Sequence, residues 1–137
     1  MSPAREVFHS DEALVVVYPD EGYVLLQRSA KPLPPLPAAR ALLLAMIEGL
    51  DQLPREQLGL VADMRGPIGR SDDDFEAVMN ELRPRIFARF PRIAVLVRSS
   101  VGKLQVQRLG RIDGLSTRLL VTHDEAAAIA FARASPT

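Results

Sequence analysis

The sequence predicts one α/β domain over residues 1–137, built on a mixed, mostly parallel β-sheet with an N-terminal antiparallel meander and about four helices. Two observations carry this prediction. Short runs rich in β-branched and aromatic residues, separated by turn residues, open the chain. Beyond residue 37, apolar runs of strand length alternate with stretches whose apolar residues recur at helical spacing, which is the mark of βαβ units.

"EVFHS", "ALVVVYP" and "GYVLLQR" read as strands over about residues 5–9, 13–18 and 22–28. "SDE" and "PDEG" are the turns between them, and Gly22 supplies a positive φ where one is needed. "KPLPPLP" at 31–37 places four prolines in seven residues. Prolines donate no backbone hydrogen bond, so this is an extended connector, and Pro37 suits the first position of a helix.

That helix covers about 37–53, with Leu42, Leu43, Met46, Ile47, Leu50 and Leu53 on its core face. A helical wheel places Leu44 opposite that face, among Arg40, Ala41 and Glu48, as a candidate interface residue for a homodimer or a protein partner. "LGLVAD" at 58–63 is a buried strand. A second helix over 72–90 carries Phe75, Val78, Met79, Leu82, Ile86, Phe87 and Phe90 at helical spacing. Pro84 is expected to kink or split it. A strand at 92–98, a helix at 100–111, a strand at 118–122 and a helix at 123–134 complete the alternation.

The apolar fraction is 47% and the charged fraction 25%, as expected of a soluble globular protein. Lys+Arg and Asp+Glu both number 17, which argues against a general nucleic-acid binder. The absence of cysteine excludes disulfides, thiolate catalysis and cysteine zinc sites. The polar start is not a signal peptide, and "ALLLAMI" at 41–47 is too short to span a bilayer. A cytoplasmic location is the expectation. The two histidines, His9 and His123, have no metal-ligand spacing. No Ser–His–Asp order or acid pair emerges, so the expected function is not enzymatic and needs no cofactor or metal.

"DMRGPIGRSDDDFE", residues 63–76, joins a strand end to a helix start. Ser71 with Asp74 has the form of a capping box, and Asp72, Asp73 and Asp74 complement the positive end of the helix dipole. The rival reading is a magnesium site of Asp63, Asp72 and Asp73, an ion that usually bridges one or two carboxylates and a phosphate; capping is the preferred reading. In a parallel sheet, ligands sit beyond the carboxyl ends of the strands. Arg65, Arg98, Ser99 and Ser100 are therefore candidates for one anion pocket, with helix capping by the serines as the alternative. Thr122 with Glu125 forms a second capping box, leaving His123 exposed. Lys103, Gln107 and Arg111 share a helix face beside Arg108, which suits an acidic partner, anionic lipid or plain solvent.

"LGLVADMRGPIGRSDDDFE", "FARFPRIAVLVRSSVGKLQVQRL" and "LLVTHDEAAAIAFA" carry a resemblance that spans nearly the whole chain. Their order resembles a SpoIIAA-like domain, the fold of STAS and STAS/SEC14-like proteins, including short stand-alone bacterial members. The resemblance implies a regulatory, protein-interaction domain that docks a partner through residues 65–74, with Arg65, Arg70 and Ser71 in the contact. In anti-sigma-factor antagonists of this fold, a serine opening the helix after the strand-end Asp is phosphorylated. Asp63 matches that Asp and Ser71 sits near that serine. The stretch reads Arg70-Ser71-Asp72-Asp73, however, and a phosphate beside those carboxylates is unfavourable. The SEC14-like side implies an alternative: a small-molecule or lipid-binding domain, with an apolar pocket between sheet and helices and Arg65 or Arg98 at its rim for an anionic head group.

Overall fold

The computed structural model describes residues 3–66 and 72–133. Six strands form one sheet whose spatial order equals chain order. Strands β1 (Arg5–His9), β2 (Ala13–Tyr18) and β3 (Tyr23–Arg28) form the antiparallel meander. In the first turn Ser10 Oγ accepts from the amides of Glu12 and Ala13, and in the second Gly22 adopts φ +79°. Strand β2 alternates strictly between buried and half-buried residues, as a strand packed more tightly on one face should.

Strands β4 (Gly59–Asp63), β5 (Ile93–Leu96) and β6 (Leu119–Thr122) continue the sheet in parallel. Every residue of β4 and β5 is buried, because both faces of these strands are covered. Helices α1 (Ala38–Asp51), α2 (Asp73–Phe87) and α3 (Ser100–Ile112) are the crossovers. They share one face of the sheet, where Val15, Val24, Leu26, Leu60, Ala62 and Val95 belong to the main core with α1's Leu43, Met46, Ile47 and Leu50. Among the described residues, helix α4 (Glu125–Arg133) is the one helix on the opposite face. There its Ala128 and Ala132 pack with Tyr23, Val61, Ala94 and Leu96.

Several expectations shift in the structure. Leu44 is half-buried and packs against the core, not exposed opposite it. The reason is α2, which lies beside α1 and whose Glu81 takes a bidentate pair from Arg40 at 2.7 and 2.6 Å, one turn before Leu44. Helix α2 runs through Pro84 without splitting. The carbonyl Pro84 leaves without its helical donor belongs to Asn80, an exposed residue that water can serve. The helix stops at Phe87, short of Phe90, where Ala88 turns to ψ 141° and Arg89 follows at φ 70°.

Aspartates cap α2 and α4. At α2, Asp72 accepts from the Phe75 amide at 2.8 Å, and Ser71 lies outside the described residues. Asp124, not Thr122, caps α4, with Oδ1 accepting from the amides of Ala126 and Ala127.

The sequence reading also missed a structural arginine. Arg55 sits in a one-turn 3-10 helix before β4 and is fully buried. Its Nη1 donates to the carbonyls of Arg85, Ile86 and Ala88, at 2.9, 2.9 and 3.0 Å. Its Nη2 donates to Asp51 at 2.8 Å, and its guanidinium lies over the Phe90 ring. Arg55 thus closes the carboxyl end of α2 with a positive charge, which suits both the orphan carbonyls and the helix dipole.

Candidate functional site

Strands β3 to β6 run parallel, so their carboxyl ends share one edge of the sheet. Side chains alternate between faces along each strand, and this divides the predicted site residues into two groups.

The first group lies toward α4. Asp63 ends β4, is buried, and faces the same side as Val61. Arg65 Nε and Nη2 donate to its two carboxylate oxygens at 2.9 and 2.8 Å. The Arg65 amide donates to it at 3.1 Å, and Gln27 Nε2 at 3.2 Å. The hydrogen bonds from Arg65 hold the Asp63 carboxyl below its ordinary range, against the opposing effect of burial. Glu125 stands 3.8 Å from the same guanidinium. Arg65 is therefore committed to Asp63 and is not the rim of an anion pocket. Arg70 and Ser71 lie outside the described residues.

The second group lies toward α1–α3. Arg98 and Ser99 line an opening of about 430 Å³ between the strand ends and helices α2 and α3, with Phe75, Val101 and Gln105. Ser99 also caps α3, accepting from the Gly102 amide at 3.1 Å. Ser100 is the exposed first residue of that helix and does not line the opening. The predicted single pocket of Arg65, Arg98, Ser99 and Ser100 is thus not assembled; Arg98 and Ser99 alone meet at this opening.

Behind the opening lies a cavity of about 240 Å³. Leu26, Ala62, Ile93 and Val95 of the sheet form its floor, and Met79, Ile86, Val106 and Leu109 of α2 and α3 its roof. Arg28, Leu43, Met64, Met79 and Val106 border both spaces, which therefore adjoin. Space exists here because α2 and α3 stand off the sheet: α2 fully buries only Leu82 and Ile86, and α3 only Gly110. Gly110 lies against the end of the Leu119 side chain of β6, which would have to shift to admit a methyl there. All three internal methionines, Met46, Met64 and Met79, line the cavity. Methionine is the side chain best able to refit around a changing shape.

Three charged features border this apolar space: Arg28, Glu76 of α2, and the Arg83–Asp113 pair. At the junction with the opening stands Arg28, the last residue of β3. Its Nε donates to the Glu12 carbonyl at 3.1 Å, and its terminal nitrogens have no partner among the described residues. Burial pushes its pKa down while Glu12 opposes this, and a guanidinium stays protonated through such a shift. At the opposite end, Arg83 Nε and Asp113 Oδ2 pair at 2.7 Å and tie α2 to the end of α3. Sequence reasoning named Arg65 and missed Arg28. The parallel pairing of β3 with β4 was the available signal, since it brings Arg28 to the same edge as Asp63.

Among the described residues, no group of His, Asp and Glu side chains could hold a metal ion. His123 is exposed. No helix of the described residues is long and apolar enough to cross a membrane. No family model, curated protein or solved structure matches the chain.

Proposed function

We propose that this domain is a non-enzymatic binder of a small amphipathic anion, whose apolar body occupies the cavity under α2 and α3 and whose charged head lies by Arg28 at the opening. The observation that carries the reading is the cavity itself: an apolar space of about 240 Å³, adjoining an arginine-bordered opening of about 430 Å³ at the strand ends. Binding sites of α/β sheets form at this edge, and ligand pockets combine apolar walls with a few placed polar groups. The methionine lining supports a ligand class with a flexible hydrocarbon body. Arg98 adds positive charge at the opening. The SEC14-like side of the family resemblance points the same way.

Docking of a protein partner through residues 65–74 has less support, because Arg65, one of its two cations, is held by Asp63.

Native mass spectrometry with dodecanoate as the probe tests the reading. A one-to-one complex is expected with the wild-type protein. Arg28→Gln should weaken it about tenfold, the worth of one charge-assisted hydrogen bond. Ala62→Leu, which fills part of the cavity floor, should remove it. A wild-type protein that stays at its ligand-free mass across the titration, with its fold intact by circular dichroism, would overturn the proposal.

A further inference from the structure

Helix α3 carries a second, outward apolar surface. Val101, Leu104 and Ile112 are the large hydrophobic side chains exposed among the described residues, at 69%, 66% and 66%. They are not scattered. With Arg108 they follow the helical spacing 101, 104, 108, 112, so they form one stripe along the solvent side. The inward side of the same helix is separate, formed by half-buried Val106 and Leu109 and buried Gly110. A helix needs only one apolar face to pack on its own domain. The outward stripe serves some other contact.

The charges identify the contact. Lys103, Arg108 and Arg111 are exposed on α3, and no acid occurs between Arg98 and Ile112, although the whole chain is neutral. Arg108 interrupts the stripe itself. Its aliphatic stem can lie along an apolar layer while its head reaches a phosphate. Protein interfaces favour aromatic cores and are depleted in lysine, whereas this stripe has three aliphatic residues and basic flanks. Three side chains are also far below the roughly 800 Å² per partner of a stable dimer. Aliphatic residues flanked by arginines on one helix suit the interface of an anionic bilayer, where shallow insertion and surface charge add.

We infer that α3 is a reversible docking helix for an anionic membrane surface, inserting Val101, Leu104 and Ile112 and pairing Arg108 and Arg111 with lipid phosphates. Val101 also borders the opening of the cavity, so docking brings that opening against the bilayer. The inference stands on the exposed stripe and its charges and holds whether or not the cavity takes a ligand.

Co-sedimentation with vesicles tests it. Wild-type protein should pellet with vesicles of phosphatidylglycerol and phosphatidylcholine but not with phosphatidylcholine alone. The bound fraction should fall several-fold between about 50 mM and 500 mM salt, as surface charge is screened. Leu104→Glu should reduce binding at least tenfold. Ala126→Glu, which adds the same charge to an exposed site on α4 across the sheet, should bind more than Leu104→Glu by a similar factor. Both variants change exposed positions, and dodecanoate uptake by Leu104→Glu should match wild type, which separates this inference from the cavity proposal. Absence of wild-type binding to the anionic vesicles would overturn it, as would equal loss in both variants. So would self-association that Leu104→Glu abolishes in a protein that ignores vesicles, since the stripe would then be a protein interface.

Discussion

The two faces of the sheet are closed by different means. On the α4 face, Ala128 and Ala132 rest on Tyr23, Val61, Ala94 and Leu96. The approach is so close that a methyl placed on Gly59 would overlap the Ala132 carbonyl. On the other face the covering helices present longer side chains, Met79, Ile86, Phe87 and Val106, and a cavity remains beneath them. Small residues draw a helix onto a sheet and leave no room. Long, flexible ones hold it away and leave space that can be refilled. The contrast makes α4 the close-packed side of the sheet and leaves the α2–α3 roof over the space in which we propose that a ligand sits.

The comparison can be broken most forcefully at Gly59. Gly59→Val puts a branched side chain where the Ala132 backbone lies, and a loss of about 3 kcal/mol or more is expected. Urea unfolding would read this as a lower midpoint at similar slope. A wild-type midpoint would mean that α4 lifts freely and that its face is not close-packed. A matched pair of substitutions sharpens the point. Ala94 and Ala62 are both buried on neighbouring central strands, but on opposite faces. Ala94→Leu should cost about 1–3 kcal/mol, the usual penalty for overpacking. Ala62→Leu should cost less than about 1 kcal/mol, because its added methylenes enter the cavity. Equal costs would indicate that both faces are equally full.

The smallest expected effect concerns Asp63 at the strand-end edge. Its folded-state pKa is depressed, chiefly by the hydrogen bonds from Arg65. The stability it contributes is therefore present above its ordinary value of 3.8 and is lost as pH falls through the lower folded-state value. Asp63→Asn should cost about 1 kcal/mol at neutral pH, after allowance for the partial exposure of Arg65. The deficit should shrink in acid, where wild type protonates and the variant does not. Urea midpoints measured across acidic and neutral pH would check this, and a deficit independent of pH would mean that charge at Asp63 is not what Arg65 stabilises.

Much of the architecture was legible in the sequence because strand and helix periods are local. The alternation in "ALVVVY" and the apolar spacing of α1 and α2 each report the element that carries them. The strands that were expected match the observed ones within about two residues at each end, which is ordinary uncertainty for element ends. Features that depend on a second element were less visible. Leu44 looked exposed because a wheel shows one helix and not α2 beside it. Ser71 and Thr122 were read as caps although an aspartate close behind each competes for the same amides. Arg55 lies in "REQ", a stretch with no pattern, and apart from Asp51 its hydrogen-bond partners lie 30 to 33 positions away along the chain. The cavity was anticipated only through resemblance, since no residue pattern announces empty space. Arg98 and Ser99 were placed correctly at the strand-end edge, whereas Arg28 required knowing that β3 pairs parallel with β4.

The strand order has a consequence for how the chain matures. Because each strand pairs with its predecessor, no slot must be held open for a later segment, and the sheet can grow from one end as synthesis proceeds. The crossovers α1 to α3 arrive in step and shelter one side. The other side waits: Tyr23, Val61, Ala94 and Leu96 are all made before the alanines of α4 that cover them. During that interval a half-finished molecule presents an apolar sheet surface to its surroundings, the part of its history most exposed to aggregation and to capture by chaperones.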